Sequence, residues 1–96
     1  MSWRQIGERQ VKFTNVGDSI EGELLSTEQS ALGVNYYHIE QESGEIVGTL
    51  GSIGLDRLME NVNVGDRVKI VYGGMVKTKG GQRFKNFDVF IEVAEE

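Results

Sequence analysis

Four residues, Asn15-Val16-Gly17-Asp18, return as Asn63-Val64-Gly65-Asp66, and each copy runs straight into a strand-like stretch. Glycine lets the backbone turn sharply there, and the aspartate can bond its own neighbouring amides. One turn, used twice, therefore launches two strands. The residues around the two copies do not match, so the echo reads as a turn signature and not as a repeat protein. The chain has no proline and thirteen glycines. Loop geometry rests on glycine, which predicts mobile loops.

The runs between these turns set the element order. Residues 19–29 alternate loosely, with Ile20, Gly22 and Leu24 on one face; Gly22 inside a strand predicts a bend or a close backbone approach. Residues 34–41, rich in Tyr and Ile, predict a second strand. Residues 42–45 form a hairpin turn with Gly44 suited to positive φ, and residues 46–50 a third strand. Ser52 can cap a helix over residues 53–61, where Leu55, Leu58, Met59 and Val62 fall at helical spacing. The second Asn-Val-Gly-Asp opens a fourth strand, residues 67–77. A turn at Thr78-Lys79-Gly80-Gly81 leads to a fifth, residues 82–93. Phe87, Val89, Ile91 and Val93 line one face of that strand; Phe84, Asn86, Asp88 and Phe90 line the other.

Five strands with one short helix between the third and fourth is the order of the all-β OB-fold, a five-stranded Greek-key barrel. Closure removes the sheet edges that five open strands would expose. An SH3-like barrel lacks the helix, and a five-stranded α+β sheet is the other competing layout. The barrel predicts burial of Leu55, Leu58, Val68, Ile70, Val89 and Ile91, with Tyr37, Tyr72 and Phe87 also inside. Residues 1–10 read as an N-terminal arm bearing Trp3, residues 11–93 as the domain and residues 94–96 as a short acidic end.

The charge is as segregated as the strands are ordered. Residues 67–87 hold six bases (Arg67, Lys69, Lys77, Lys79, Arg83, Lys85) and no acid. The other 75 residues hold four bases against fifteen acids. A net charge of −5 argues against a binder of duplex DNA with a wholly basic surface. It suits one basic face whose acidic surroundings orient a polyanion. With no Cys and one His, disulfides, thiolate sites and a His-based zinc site are not expected. No cofactor is expected. No apolar run reaches the roughly 20 residues of a membrane helix, and Met-Ser-Trp-Arg-Gln is not a signal sequence. A cytoplasmic setting, in a bacterial or phage-infected cell, is the expectation.

From the element order, the Val64-Gly65-Asp66-Arg67-Val68 lead-in to the fourth strand and the basic hairpin ending Arg83-Phe84-Lys85-Asn86-Phe87, the chain resembles small OB-fold single-stranded DNA-binding proteins, especially those of bacteriophages. The resemblance spans about residues 11–93. It implies binding on the barrel face around the second and third strands, flanked by the loops after the first and fourth. That places Tyr36 and His38 on the binding face and Lys77, Lys79, Arg83 and Lys85 on the flanking hairpin. Where the family has a long acidic tail for recruiting replication proteins, this chain has Glu92, Glu95 and Glu96.

The expected site is therefore Arg67, Lys69, Lys77, Lys79, Arg83 and Lys85 for phosphates, with Phe84 and Tyr36 for stacking and His38 beside them. Phosphates need positive charge and unpaired bases need flat apolar partners. The expected partner is single-stranded DNA, or RNA, bound without sequence preference; a homo-oligomer is compatible. The competing reading is a protein-interaction or structural module, such as part of a phage assembly, whose basic hairpin docks an acidic partner. Catalysis is not expected: His38 has no Cys or Ser in a nucleophile setting, and Asp56/Glu60 and Glu21/Glu23 read as solvated acids.

Overall fold

The computed structural model describes residues 9–93. Its elements are β1 (Arg9–Val11), β2 (Ser19–Gln29), β3 (Asn35–Glu40), β4 (Ile46–Leu50), α1 (Ile53–Met59), β5 (Arg67–Lys77) and β6 (Arg83–Ile91). The six strands form one sheet in the order β1-β4-β3-β2-β5-β6. β1 runs parallel to β4; every other neighbouring pair is antiparallel. The fold is mostly sheet with one short helix, and the sheet curls into a half barrel.

The five expected strands and the helix between the third and fourth are present, but the sheet is open and has six strands. The added strand, β1, lies along the outer side of β4, where Arg9 Nε donates to Glu45 Oε1 at 2.7 Å. With that side of β4 occupied, β6 is left as the opposite edge, and the two edges do not pair among the described residues. Arg9 and Gln10, assigned by sequence to the arm, belong to β1. Trp3 and residues 94–96 lie outside the described residues.

Alternation along the strands builds the core. Ile20, Leu24, Tyr37, Ile39, Val47, Val68, Ile70, Tyr72 and Phe87 fill the concave side, joined by Leu55 and Met59 from α1 and by Phe13 after β1. Leu58 is 41% exposed, against expectation. The helix has only seven residues and rests on the line through Leu55 and Met59, so Leu58 falls on its flank. Ile91, also expected inside, is 42% exposed because it ends the edge strand; Val89 is only partly buried. Gly22 is a close approach: a side chain there would collide with the backbone carbonyl of Glu40 on β3.

The repeated turn marks a longer correspondence. β2 and β5 each have eleven residues, and β3 and β6 each begin six residues later, so counterparts lie 48 residues apart throughout (Ser19 and Arg67, Asn35 and Arg83). Gly17 N donates to Tyr72 O and Tyr72 N to Asp18 O; Gly65 N donates to Leu24 O and Leu24 N to Asp66 O. Each turn thus clamps the strand that the other launches. Beyond the clamps, the β2–β3 ladder slips between Leu24 and Ser26, and the β5–β6 ladder between Tyr72 and Gly74. The hairpin tips match too: Ser30 N donates to Val34 O and Thr78 N to Gln82 O, with Gly33 at φ 82° and Gly81 at φ 83°. Backbone equivalence therefore extends across both hairpins, where side-chain identity does not. The halves part at the slip itself, where Gly74 has φ 97° and its counterpart Ser26 keeps negative φ.

Only the first hairpin has β4 along its outer side; α1 packs against β6 of the second hairpin and reaches back to β3 through Asp56. Ser52 Oγ caps α1 by accepting from Leu55 N at 3.2 Å. Asp56 then accepts from Tyr37 Oη at 2.5 Å and from Asn35 N at 3.0 Å. Burial, then the bond to Asp56, raises the Tyr37 phenol above its ordinary value of 10.0. The counterparts of Asn35 and Tyr37 are Arg83 and Lys85, which have no such anchor among the described residues.

Candidate nucleic-acid interface

The structure divides the six expected cations into two groups. Arg67 and Lys69 sit at the start of β5, and Lys77, Lys79, Arg83 and Lys85 at the β5–β6 tip, about eight residues or some 26 Å along the strand from Lys69. Arg67 is already committed. It lies 2.5 Å from Glu42, 3.1 Å from Glu92 and 3.7 Å from Glu21. It ties β2, the β3–β4 turn and the end of β6 together and is removed from the site. Lys69 stands across from Glu21 on β2 and Phe90 on β6. A carboxylate neighbour weakens it as a phosphate ligand.

The tip cations differ. Lys77, Lys79, Arg83 and Lys85 are exposed and form no ion pair with any described residue. Lys77 pairs in register with Arg83, and Met75 with Lys85, so Lys77, Arg83 and Lys85 share one face of the hairpin. That face is the concave one, continuous with Phe87. Phe84 is 46% exposed and lies opposite Val76. Strand neighbours point to opposite faces, so Phe84 is on the convex side, away from Arg83 and Lys85. This is the face that strand alternation predicts for it, opposite Phe87.

Tyr36 and His38 lie elsewhere. β2 and β5 are antiparallel, so the β2–β3 and β5–β6 tips point to opposite ends of the sheet. Tyr36 is half-buried over Gly48, edge-on to His38 at 5.1 Å between ring centroids. His38 Nε2 is 3.1 Å from Glu28. Both rings are engaged, among Glu21, Glu23, Glu28 and Glu40 of the first hairpin. They do not join the tip cations in one patch.

Sequence reasoning missed the surroundings of Lys85. A cleft of about 380 Å³ opens between the segment after β1, the end of β4 and β6, with Lys12, Phe13, Thr49, Ser52, Lys85 and Phe87 among its lining. Phe13 meets Phe87 edge-on, with centroids 5.3 Å apart at 77°, and Tyr72 at 6.2 Å. The available signal was the apolar spacing of Val11 and Phe13, which sequence left at the rim of the domain.

Among the described residues no group of three or more His, Cys, Asp or Glu could hold a metal ion, and no helix is long and apolar enough to cross a membrane. Comparison with known proteins returns no match to any family model, curated protein or solved structure.

Proposed function

We propose that this chain is a single-stranded nucleic-acid-binding module of OB type, with its interface on the basic β5–β6 hairpin. The observation that carries the reading is the set of four exposed cations, Lys77, Lys79, Arg83 and Lys85, with no ion pair to a described residue in a chain with fifteen acids. Four uncompensated cations on a hairpin suit a flexible polyanion, whose phosphates can follow them. The strand order β4-β3-β2-β5-β6, with the helix between β4 and β5, supports the OB reading.

In this reading Lys77, Arg83 and Lys85 neutralise phosphates on the concave side and Lys79 does so at the tip. β6 is an edge strand, so a bound strand that wraps round it also reaches Phe84 on the convex side. The acidic first hairpin repels the same ligand and fixes which end of the sheet it meets. DNA is preferred over RNA on the resemblance alone, and a phage setting rests on the same ground.

Fluorescence titration with labelled single strands at two salt concentrations tests this. The expected result is binding without sequence preference, weakening with salt at a slope near −0.7 per phosphate contacted. No binding at low salt would transfer the hairpin to the protein-docking reading.

A further inference from the structure

The two halves of the sheet have the same backbone but not the same filling. On β3, Tyr37 and Ile39 pair with Thr49 and Val47 of β4. Their counterparts on β6, Lys85 and Phe87, pair with β5 but have no strand on their outer side, where α1 packs against β6, and both line the cleft of about 380 Å³. Beside β6 there is therefore a cleft next to the helix, where the first hairpin has its third strand.

The chemistry of that cavity is selective. Its volume lies in the range of sites for small organic ligands. Its floor is apolar, formed by the edge-on pair Phe13 and Phe87. Lys12 and Lys85 supply two positive charges, and Thr49 and Ser52 bring hydroxyl groups. Among the described residues no carboxylate lines it, in a chain where acids outnumber bases fifteen to ten. Two cations over an aromatic floor, with hydroxyls and no acid, match an anion joined to a flat ring.

We propose that this cleft is a binding site for one nucleotide unit, the base against Phe13 and Phe87 and the phosphate between Lys12 and Lys85. As a subsite of a bound strand it rests on the proposed function. The chemistry is equally that of a free mononucleotide. Lys85 belongs to both the hairpin and the cleft, so a strand held on Lys77 and Arg83 has a direct path into it. Lys12 belongs to the cleft alone and separates the two sites experimentally.

The test is an amide-shift titration of ¹⁵N-labelled protein with thymidine monophosphate and, separately, with an eight-residue oligothymidylate, on the parent chain and on Lys12→Glu. Lys12 is exposed, so the variant is expected to melt with the parent. The expected result is shifts at residues 11–14 and 85–87 with both probes. Lys12→Glu is expected to lose roughly tenfold or more in affinity, the lower end of what a hydrogen bond between charged groups contributes. Oligonucleotide shifts confined to residues 77–84, with Lys12→Glu binding like the parent, would overturn the cleft and leave the strand-binding reading standing. Cleft shifts with the mononucleotide, and no shift at any residue with the oligonucleotide, would support the cleft and refute strand binding. Silence at the cleft with both probes, or equal displacement of the mononucleotide by an oligoglutamate peptide, would overturn the cleft.

Discussion

The two hairpins, β2–β3 and β5–β6, have eleven-residue first strands, the same ladder slip and the same tip hydrogen bonds, yet differ in almost every side chain that faces water. Residues 19–40 hold four acids and no Lys or Arg; residues 67–88 hold six bases and one acid. The first hairpin is flanked by β4 and bonded to Asp56, whereas the second ends as an edge whose tip cations form no ion pair with a described residue. One backbone plan thus serves two ends. Where a further strand pairs along the hairpin's outer side, its residues are spent on packing. Where none does, the charges at the tip stay exposed.

The sharpest way to break the comparison is at Gly22. Its counterpart is Ile70, so the backbone plan itself does not demand glycine. The demand comes from the close crossing of β3, whose Glu40 carbonyl occupies the space of a side chain. Gly22→Ala is expected to cost about 3 kcal/mol, the upper range for overpacking, in chemical denaturation. Gly73→Ala in the second hairpin is expected to cost less than about 1 kcal/mol. There the new methyl meets chiefly the movable amide of Asn86 at 3.0 Å. Equal losses would mean that the crossing is not what separates the halves.

The helix anchor should give the next largest effect. Asp56→Ala leaves the Tyr37 hydroxyl and the Asn35 amide without their acceptor and is expected to cost about 2 kcal/mol. Tyr37→Phe should cost about 1 kcal/mol, since Asp56 keeps its bond to Asn35. Lys85→Ala, at the position equivalent to Tyr37, should leave the melting temperature unchanged. A drop as large as that of Asp56→Ala would show that the second hairpin is anchored after all.

Phe84→Ala sharpens the assignment of faces. The ring is about half exposed, so the expected stability loss is below about 1 kcal/mol. If a strand wraps the β6 edge, the affinity loss is about 1 kcal/mol, the lower end for a stacked base. A loss of about 3 kcal/mol in stability, the cost of deleting a core ring, would place Phe84 inside instead.

pH should give the smallest effect, and it probes the first half alone. The Tyr37 phenol is raised in the fold, so the neutral form is favoured by folding. That contribution is complete below the unfolded value near pH 10 and is lost as pH rises beyond it. Asp18 is lowered by the backbone amides of Asn15 and then Thr14. Its contribution is present above the ordinary value of 3.8 and is lost as pH falls through the lowered one. Melting curves should show Tyr37→Phe blunting the alkaline loss and Asp18→Asn the acid loss. Unchanged profiles in both variants would contradict these assignments.

Much of this division was legible in the sequence. Turn chemistry and alternation placed β2, β4 and β5 at their observed limits, because those strands are bounded by Gly and Asp turns. The face of Tyr37, Tyr72 and Phe87 followed from period two. Leu58 and Ile91 were misjudged because periodicity states which face a residue takes and not whether another element covers that face. β1 was missed because three residues, Arg9 to Val11, are too few for a pattern; their strand exists through pairing with β4. The site was legible as charge but not as geometry. A run of six bases does not reveal that three acids from distant segments hold Arg67. Nor does it show that Lys85 shares a cleft with Lys12, 73 positions away.

The proposed function has the β5–β6 hairpin bind single strands through four cations that form no ion pair with a described residue. Replacing Lys77, Lys79, Arg83 and Lys85 together with Ala and measuring oligonucleotide affinity across salt tests it most directly. The account predicts an unchanged melting temperature, weaker binding to every sequence and a salt slope flatter by up to about 3, four contacts at roughly 0.7 each. A folded quadruple variant that binds with the parent's affinity and salt slope would contradict it.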